Sequence, residues 1–167
     1  MSRNFEVKTK KAAFLNGKQI TGYVWDKIQI CENHNIIIAT NENEEISMYS
    51  GKTGELLFNW PKYFSYKIIP DYIEFAVQDM GMAFYGAISF EGKILVPFAF
   101  GSVKPTKYAG IYEVTCSKGT KAYYITKTKQ VINACDIAKP NDSEWDFLID
   151  NVWKRFSYIS GIYQCIN

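Results

Sequence analysis

Histidine and arginine are almost missing from this 167-residue chain: His34 stands alone, and the nineteen basic residues include only Arg3 and Arg155 as arginines. A single histidine excludes every mechanism that needs two, and it makes any catalytic triad depend on one position. Scarce arginine weakens a nucleic-acid reading, because the guanidinium is the usual bidentate partner of phosphate and guanine. An excess of one charge is lacking too. The formal net charge of +2 is too small to steer the protein toward nucleic acid or anionic lipid. Long apolar runs are absent: the stretch 95–100 has six residues and contains Pro97, whereas a membrane-spanning helix needs about 20. The first residues alternate polar and apolar and show no h-region of a secretory signal, so a cytoplasmic location is expected. Cys31, Cys116, Cys135 and Cys165 include no CxxC pair. That spacing offers neither a zinc ribbon nor a thioredoxin-type motif, and the four are expected to be buried small hydrophobes. No metal and no cofactor is expected.

What is present is ordinary globular material, 47% apolar and 22% charged, at the length of one domain spanning 1–167. It is also repetitive. Gly17-Lys18-Gln19-Ile20, Gly54-Glu55-Leu56-Leu57, Gly92-Lys93-Ile94-Leu95 and Lys129-Gln130-Val131-Ile132 begin 37, 38 and 37 residues apart. Each reads as a tight turn that favours positive φ, followed by a short strand. A second extended run follows at 35–40, 72–78 and 110–116, and in the fourth unit at 160–166, where Gly161-Ile162-Tyr163 resembles Gly110-Ile111-Tyr112. In the run 72–78, Ile73, Phe75 and Val77 alternate with Tyr72, Glu74, Ala76 and Gln78, the pattern of a half-buried strand. Spacers too short for helical crossovers predict antiparallel pairing.

The delay of the fourth run predicts an insertion, and the insertion reads as a helix over 142–156. Trp145, Leu148, Ile149, Val152, Trp153 and Phe156 fall on a 3.6-residue period. Asn141 is placed to cap it, with Glu144 in its first turn and Lys154 and Arg155 at its end. The predicted fold is therefore an all-β antiparallel meander of about four 37-residue repeats, a closed barrel or small propeller-like sheet, with one C-terminal amphipathic helix as lid or edge cover.

The third unit, Tyr85-Gly86-Ala87-Ile88-Ser89-Phe90-Glu91-Gly92-Lys93-Ile94-Leu95-Val96-Pro97-Phe98-Ala99-Phe100, resembles the WG repeat of bacterial proteins. That pattern runs from an aromatic-Gly pair through Ile to Gly-Lys, aliphatics, Pro and a later aromatic. Tyr85 replaces the eponymous Trp, and Ser89 stands where Asp is usual. The string Ser50-Gly51-Lys52-Thr53-Gly54-Glu55-Leu56-Leu57-Phe58-Asn59-Trp60 is similar to the Thr-Gly turn and Trp-bearing strand of quinoprotein-type propeller blades. Both resemblances imply a β-repeat scaffold that binds other molecules; neither implies one chemistry.

Candidate chemistry is sparse. Cys31 and His34, three positions apart, have the spacing of a thiolate pair or two metal ligands, but two further ligands are not in sight, and an exposed turn histidine is expected. Gly51-Lys52-Thr53-Gly54 lacks the earlier glycine of a phosphate loop, since position 46 is Ile, and reads as a hairpin turn. Glu74 and Glu113 occupy matching places in successive units, with Gln164 in the fourth, and would serve a carboxylate-dependent hydrolase only if they shared a cleft. Lys121, Tyr123, Lys127 and Lys129 lie on one side of a strand and form the best nucleic-acid candidate. Aromatics are the one excess, with twelve Tyr, eleven Phe and four Trp. Trp25, Trp60, Tyr63 and Tyr66 fall in connecting stretches suited to a protein partner. The expected function is a non-enzymatic binding domain for a macromolecule, most simply a protein, with a small-ligand or glycan site at a barrel mouth as the alternative.

Overall fold

The computed structural model describes residues 10–116 and 118–166. Apart from one 3-10 turn at Glu32–His34, regular structure among them is all extended. A two-stranded hairpin, β1 (Phe14–Leu15) and β2 (Lys18–Gln19), precedes four sheets of four strands each. The first comprises β3 (Lys27–Cys31), β4 (Ile36–Thr40), β5 (Ile46–Ser50) and β6 (Leu56–Trp60). The second comprises β7 (Ser65–Ile69), β8 (Tyr72–Asp79), β9 (Met82–Ile88) and β10 (Ile94–Phe100). The third runs through β11 (Ser102–Pro105), β12 (Ile111–Thr115), β13 (Lys121–Ile125) and β14 (Gln130–Asn133). The fourth is β15 (Asp136–Ala138), β16 (Glu144–Ile149), β17 (Val152–Ile159) and β18 (Ile162–Cys165).

In each sheet the spatial order is the sequence order, so each is a meander of neighbours. The closed barrel expected from sequence is not formed. Hairpin connections use up every strand's pairing within its own sheet, and each sheet ends in two edges rather than closing on itself. The chain falls into two compact units, one made of residues up to Gly81 with Ile88–Lys93, the other of Met82–Ala87 with Ile94 onward.

The repeat anchors acquire a physical meaning here. Gly54, Gly92 and Lys129 each stand at the turn into the fourth strand of a sheet, with φ of 77°, 82° and 57°. The fourth sheet has its own anchor, Gly161 at φ 91°, immediately before β18. Gly17, φ 79°, does the same for β2. The runs at 35–40, 72–78 and 110–116 coincide with β4, β8 and β12, the second strand of their sheets. The run 160–166 does not: it holds β18, a fourth strand, and the true counterpart in the last sheet is β16. No insertion exists.

The predicted helix over 142–156 is a hairpin. β16 and β17 pair antiparallel from Glu144↔Ser157 to Ile149↔Val152 around Asp150 and Asn151, both left-handed at φ 51° and 62°. Two consecutive positive φ values make the tight turn whose twist suits a two-residue hairpin, and Asp and Asn tolerate that region better than most residues. The 3.6-residue stripe is an accident of folding a period-two pattern back on itself. Trp145, Phe147 and Ile149 share one face of β16, while Leu148 meets Trp153 on the other. The supposed cap and dipole residues act otherwise. Asn141 Oδ1 accepts from the Ser143 amide at 3.0 Å, a turn. Arg155 donates to both Asp146 oxygens at 2.9 and 3.1 Å as a cross-strand pair.

Burial departs from the half-buried expectation for 72–78. Tyr72, Ile73, Phe75 and Ala76 are all buried, so β8 is covered on both faces. In the first unit, Ile38, Met48 and Phe58 of the first four-stranded sheet meet Ile73 and Phe75 of the second around a small apolar void. In the second unit, Ile111, Tyr123, Ile125 and Ile132 share a cluster with Trp145, Phe147 and Tyr163. Phe147 packs edge-on against Phe156 at 5.1 Å, a favoured ring geometry.

The turns and the cross-strand pair can each be tested by substitution. A Cβ at Gly92 would drive into the Leu57 carbonyl, whereas one at Gly161 meets nothing within 4 Å. Gly92→Ala is expected to cost about 2–3 kcal/mol and Gly161→Ala about 1 kcal/mol by urea unfolding. The Arg155 guanidinium holds the Asp146 carboxyl below its ordinary value, chiefly by hydrogen bonding. A depressed folded-state value adds stability that is present above the unfolded pKa of about 4 and is lost as pH falls through the lower folded value. Asp146→Asn is expected to flatten that acid limb of the stability profile.

Candidate functional site

The end of β6, the connector after it and the start of β7 gather the rings most suited to recognition. Phe58 and Trp60 lie two apart on β6, so both project from one face, and their rings stack at 6.0 Å with an interplanar angle of 9°. Phe75 of β8 sits edge-on to both, at 5.5 Å from Phe58 and 6.4 Å from Trp60. Tyr63 from the connector lies 6.3 Å from Phe75 and 6.0 Å from Tyr66 of β7. The Tyr66 hydroxyl donates to Gln29 Oε1 at 3.0 Å, fixing the ring, and burial pushes its phenol above the usual value. Trp60, Tyr63 and Tyr66 are half-buried, and Phe64 beside them is 51% exposed. The result is a rigid aromatic ledge whose inner ring, Phe75, is core and whose outer rings reach solvent.

The structure thus brings together Trp60, Tyr63 and Tyr66, although Trp60 and Tyr66 are strand residues rather than loop residues. It does not bring Trp25 to them as an exposed ring. Trp25 is 7% exposed, bridged to Lys11 through backbone pairing, and its indole N–H has no partner among the described residues. Phe58 and Phe64 join the site without having been singled out by the sequence reading. Phe58 is legible from its period-two relation to Trp60, and Phe64 from its place inside the connector.

The basic strand dissolves as a nucleic-acid platform. Tyr123 is 2% exposed within the core of the second unit, because β13 is the inner strand on which that cluster is built, and its ring is not available to stack a base. Lys121 pairs with Glu113 at 2.8 Å, and that carboxylate raises the ammonium well above the ordinary lysine value. Lys127 lies over the Tyr158 ring at 3.6 Å, a cation-π contact, and Lys129 supplies a left-handed turn residue. Each lysine has a local structural role.

The remaining candidates are also assigned. His34 is half-buried rather than an exposed turn residue, stacked on Phe90 at 3.8 Å and 12°. Burial raises the Cys31 thiol, the opposite of an activated thiolate. Among the described residues no group of three His, Cys, Asp or Glu side chains is placed to hold a metal ion. Cys135 and Cys165 are exposed and Cys31 and Cys116 half-buried, since they lie on edge strands and connectors; the expectation of four core cysteines is corrected. Glu74 stands opposite Lys67 and Glu113 opposite Tyr123 in their own sheets, with Gln164 opposite Ser157. Lys52 and Thr53 donate backbone amides to Ser50 Oγ at 3.2 and 3.1 Å in a turn that leads into β6, not into a helix. No helix among the described residues is long and apolar enough to cross a membrane.

No protein-family model matches the chain, and no curated protein matches it. The similar solved structures include the N-terminal domain of Nup159, at 10% identity and a TM-score of 0.36, covering 96% of this chain and 45% of that one. A second is the S. cerevisiae complex of Dbp5 bound to Nup159, Gle1, IP6 and ADP, at 10% identity and a TM-score of 0.35, covering 97% and 47%. A third is the computationally designed Ika4 protein, at 15% identity and a TM-score of 0.36, covering 74% and 85%. The chain spans less than half the length of the Nup159-related chains.

The assignment of Tyr123 to the core makes a measurable claim. Tyr123→Ala is expected to cost about 3–5 kcal/mol in thermal or urea unfolding, as for other buried aromatic truncations, while Lys127→Ala changes stability by about 1 kcal/mol or less.

Proposed function

We propose that this chain is a non-enzymatic binding module that recognises a protein partner through the aromatic ledge at the β6–β7 connection. The observation that carries the reading is the convergence of Trp60, Tyr63 and Tyr66 on the buried Phe75, with Phe64 left in water beside them. Rings held by a core anchor lose little conformational freedom on binding. Amphipathic Trp and Tyr side chains in that state are the commonest energetic centres of protein interfaces.

Competing readings lose their physical basis. A ligand site at a barrel mouth has no barrel to sit in. A nucleic-acid face would need Tyr123 to leave the core and Lys121 to leave Glu113. A hydrolase built on Glu113 would need that carboxylate freed from its ion pair. The WG-repeat resemblance agrees with an interaction module, by analogy alone.

The test is affinity capture from native extract, with the captured protein then titrated against purified variants. Phe64→Ala and Tyr63→Ala are each expected to weaken that binding by about tenfold or more, with Phe64→Ala leaving the melting temperature unchanged. Unaltered affinity in both variants refutes the assignment of this surface.

A further inference from the structure

Two hairpin turns of this chain satisfy their own amides. At 50–54, Ser50 Oγ accepts the amides of Lys52 and Thr53 at 3.2 and 3.1 Å, and the Ser50 carbonyl accepts that of Gly54 at 2.8 Å. At 89–93, Ser89 Oγ accepts the amides of Glu91 and Lys93 at 3.2 and 3.3 Å, and the Ser89 carbonyl accepts that of Gly92 at 3.0 Å. Successive amides ahead of a left-handed residue form a concavity that attracts oxygens. In both turns the opening serine supplies them.

The turn at 126–129, between β13 and β14, ends in the same way but lacks that supply. Lys129 is left-handed at φ 57°, after a residue of negative φ. Thr126 stands three residues before this anchor, as Ser89 stands before Gly92, yet it turns away. Its amide and its hydroxyl both donate to the Gly110 carbonyl, at 2.9 and 3.0 Å. Among the described residues no oxygen accepts the amides of Thr128 and Lys129. Thr128 itself is half-buried, and its Oγ1 is enclosed with no hydrogen-bond partner. A hydroxyl in that state is a donor to spare, and one change of χ1 presents it to an oxygen held at the turn.

Positive charge gathers at the same place. From 102 to 133 the sequence holds six lysines and one carboxylate, Glu113, in a chain whose net charge is only +2. Glu113 is spent on Lys121 at 2.8 Å. Lys127 and Lys129 belong to the turn, and Lys107 to the connector 106–110 whose Gly110 receives the two Thr126 bonds. These three lysines are exposed and have no carboxylate partner among the described residues. Lys127 over Tyr158 and Lys107 over Tyr108 have their ammonium groups placed by the rings without being neutralised. The acid of the next connector, Asp142, is held by Lys139 at 2.8 Å.

We propose that the 126–129 turn, together with Lys107, binds a phosphate monoester. Two adjacent amides and a hydroxyl suit the three free oxygens of that group, and the lysines supply point charges for an anion that carries close to two charges at pH 7. A nucleic-acid backbone suits the turn less well. Each diester carries one charge, and the rings nearby do not stack bases, because Tyr123 is core and Lys127 covers Tyr158. The site is separate from the aromatic ledge and stands or falls independently of it.

Amide NMR titration of the isotope-labelled full chain tests this, with O-phosphoserine as the probe and acetate at matched ionic strength as the charge control. O-phosphoserine is expected to shift the Thr128 and Lys129 amides in a saturable manner, and acetate to leave them nearly still. Lys129→Gly removes an ammonium while keeping a residue suited to positive φ, and Lys127→Ala removes its neighbour. Each is expected to weaken binding by about fivefold or more. Lys93→Ala takes the same charge from a turn whose amides are already satisfied and is expected to leave binding at 126–129 unchanged. Equal response to acetate, unaltered affinity in both the Lys127 and Lys129 variants, or an equal loss in Lys93→Ala overturns the proposal. Tighter binding of an oligothymidylate than of O-phosphoserine at these amides overturns it in favour of nucleic acid.

Discussion

A left-handed residue at the turn into each sheet's last strand governs this architecture. At Gly54, Gly92, Lys129 and Gly161 the backbone reverses with positive φ, and that reversal sets which side chains of the following strand face forward and which face back. A one-residue slip would exchange the two sets, and every sheet with buried faces resists it. The turns at Gly54 and Gly92 are also points of close approach, because Ile20 and Leu57 lie so near that no side chain fits. At Gly54 and Gly92 the turn is thus both a register device and a contact point, whereas Gly161 is a register device alone.

The aromatic surplus follows from the same geometry. Four-stranded meanders present two faces each, and rings fill the space between them at low entropic cost. Phe75, Phe147, Tyr72 and Tyr123 serve there. Where such a layer reaches an edge, its outer rings meet solvent. Trp60, Tyr63 and Tyr66 extend the Phe75 layer outward, so the rigidity that holds the core also holds the ledge. Polar residues are spent on local structure: Glu113, a candidate carboxylate from the sequence, pairs with Lys121, Asp146 with Arg155, and Asn41 holds the turn around Glu45.

How far the sequence is readable depends on the range of the forces involved. The anchors and the strands at 35–40, 72–78 and 110–116 are legible, because positive φ and period-two alternation are local properties. The region 142–156 misleads for an equally local reason. A tight turn at Asp150–Asn151 superimposes two alternating strands into a helical period, and the Asp-Asn dipeptide, the signal against it, lacks the glycine that usually marks such turns. With that hairpin mistaken for an insertion, 160–166 is matched to the wrong strand. Of the site, Trp60, Tyr63 and Tyr66 are nameable by residue type, whereas the burial of Trp25 and Tyr123 is not, because it depends on which face of a strand meets another sheet. His34 on Phe90 is invisible for the same reason.

The central claim is that the described residues form four four-stranded meanders after a short hairpin, one of them over the stretch with helical periodicity. Backbone nuclear Overhauser effects measured on the isotope-labelled protein test it most directly. The account predicts cross-strand contacts between Ile38 and Met48, between Glu113 and Tyr123, and between Asp146 and Arg155, the middle-strand pairs of three sheets. Sequential helical contacts three residues apart through 144–156, in place of the Asp146–Arg155 contact, would contradict it.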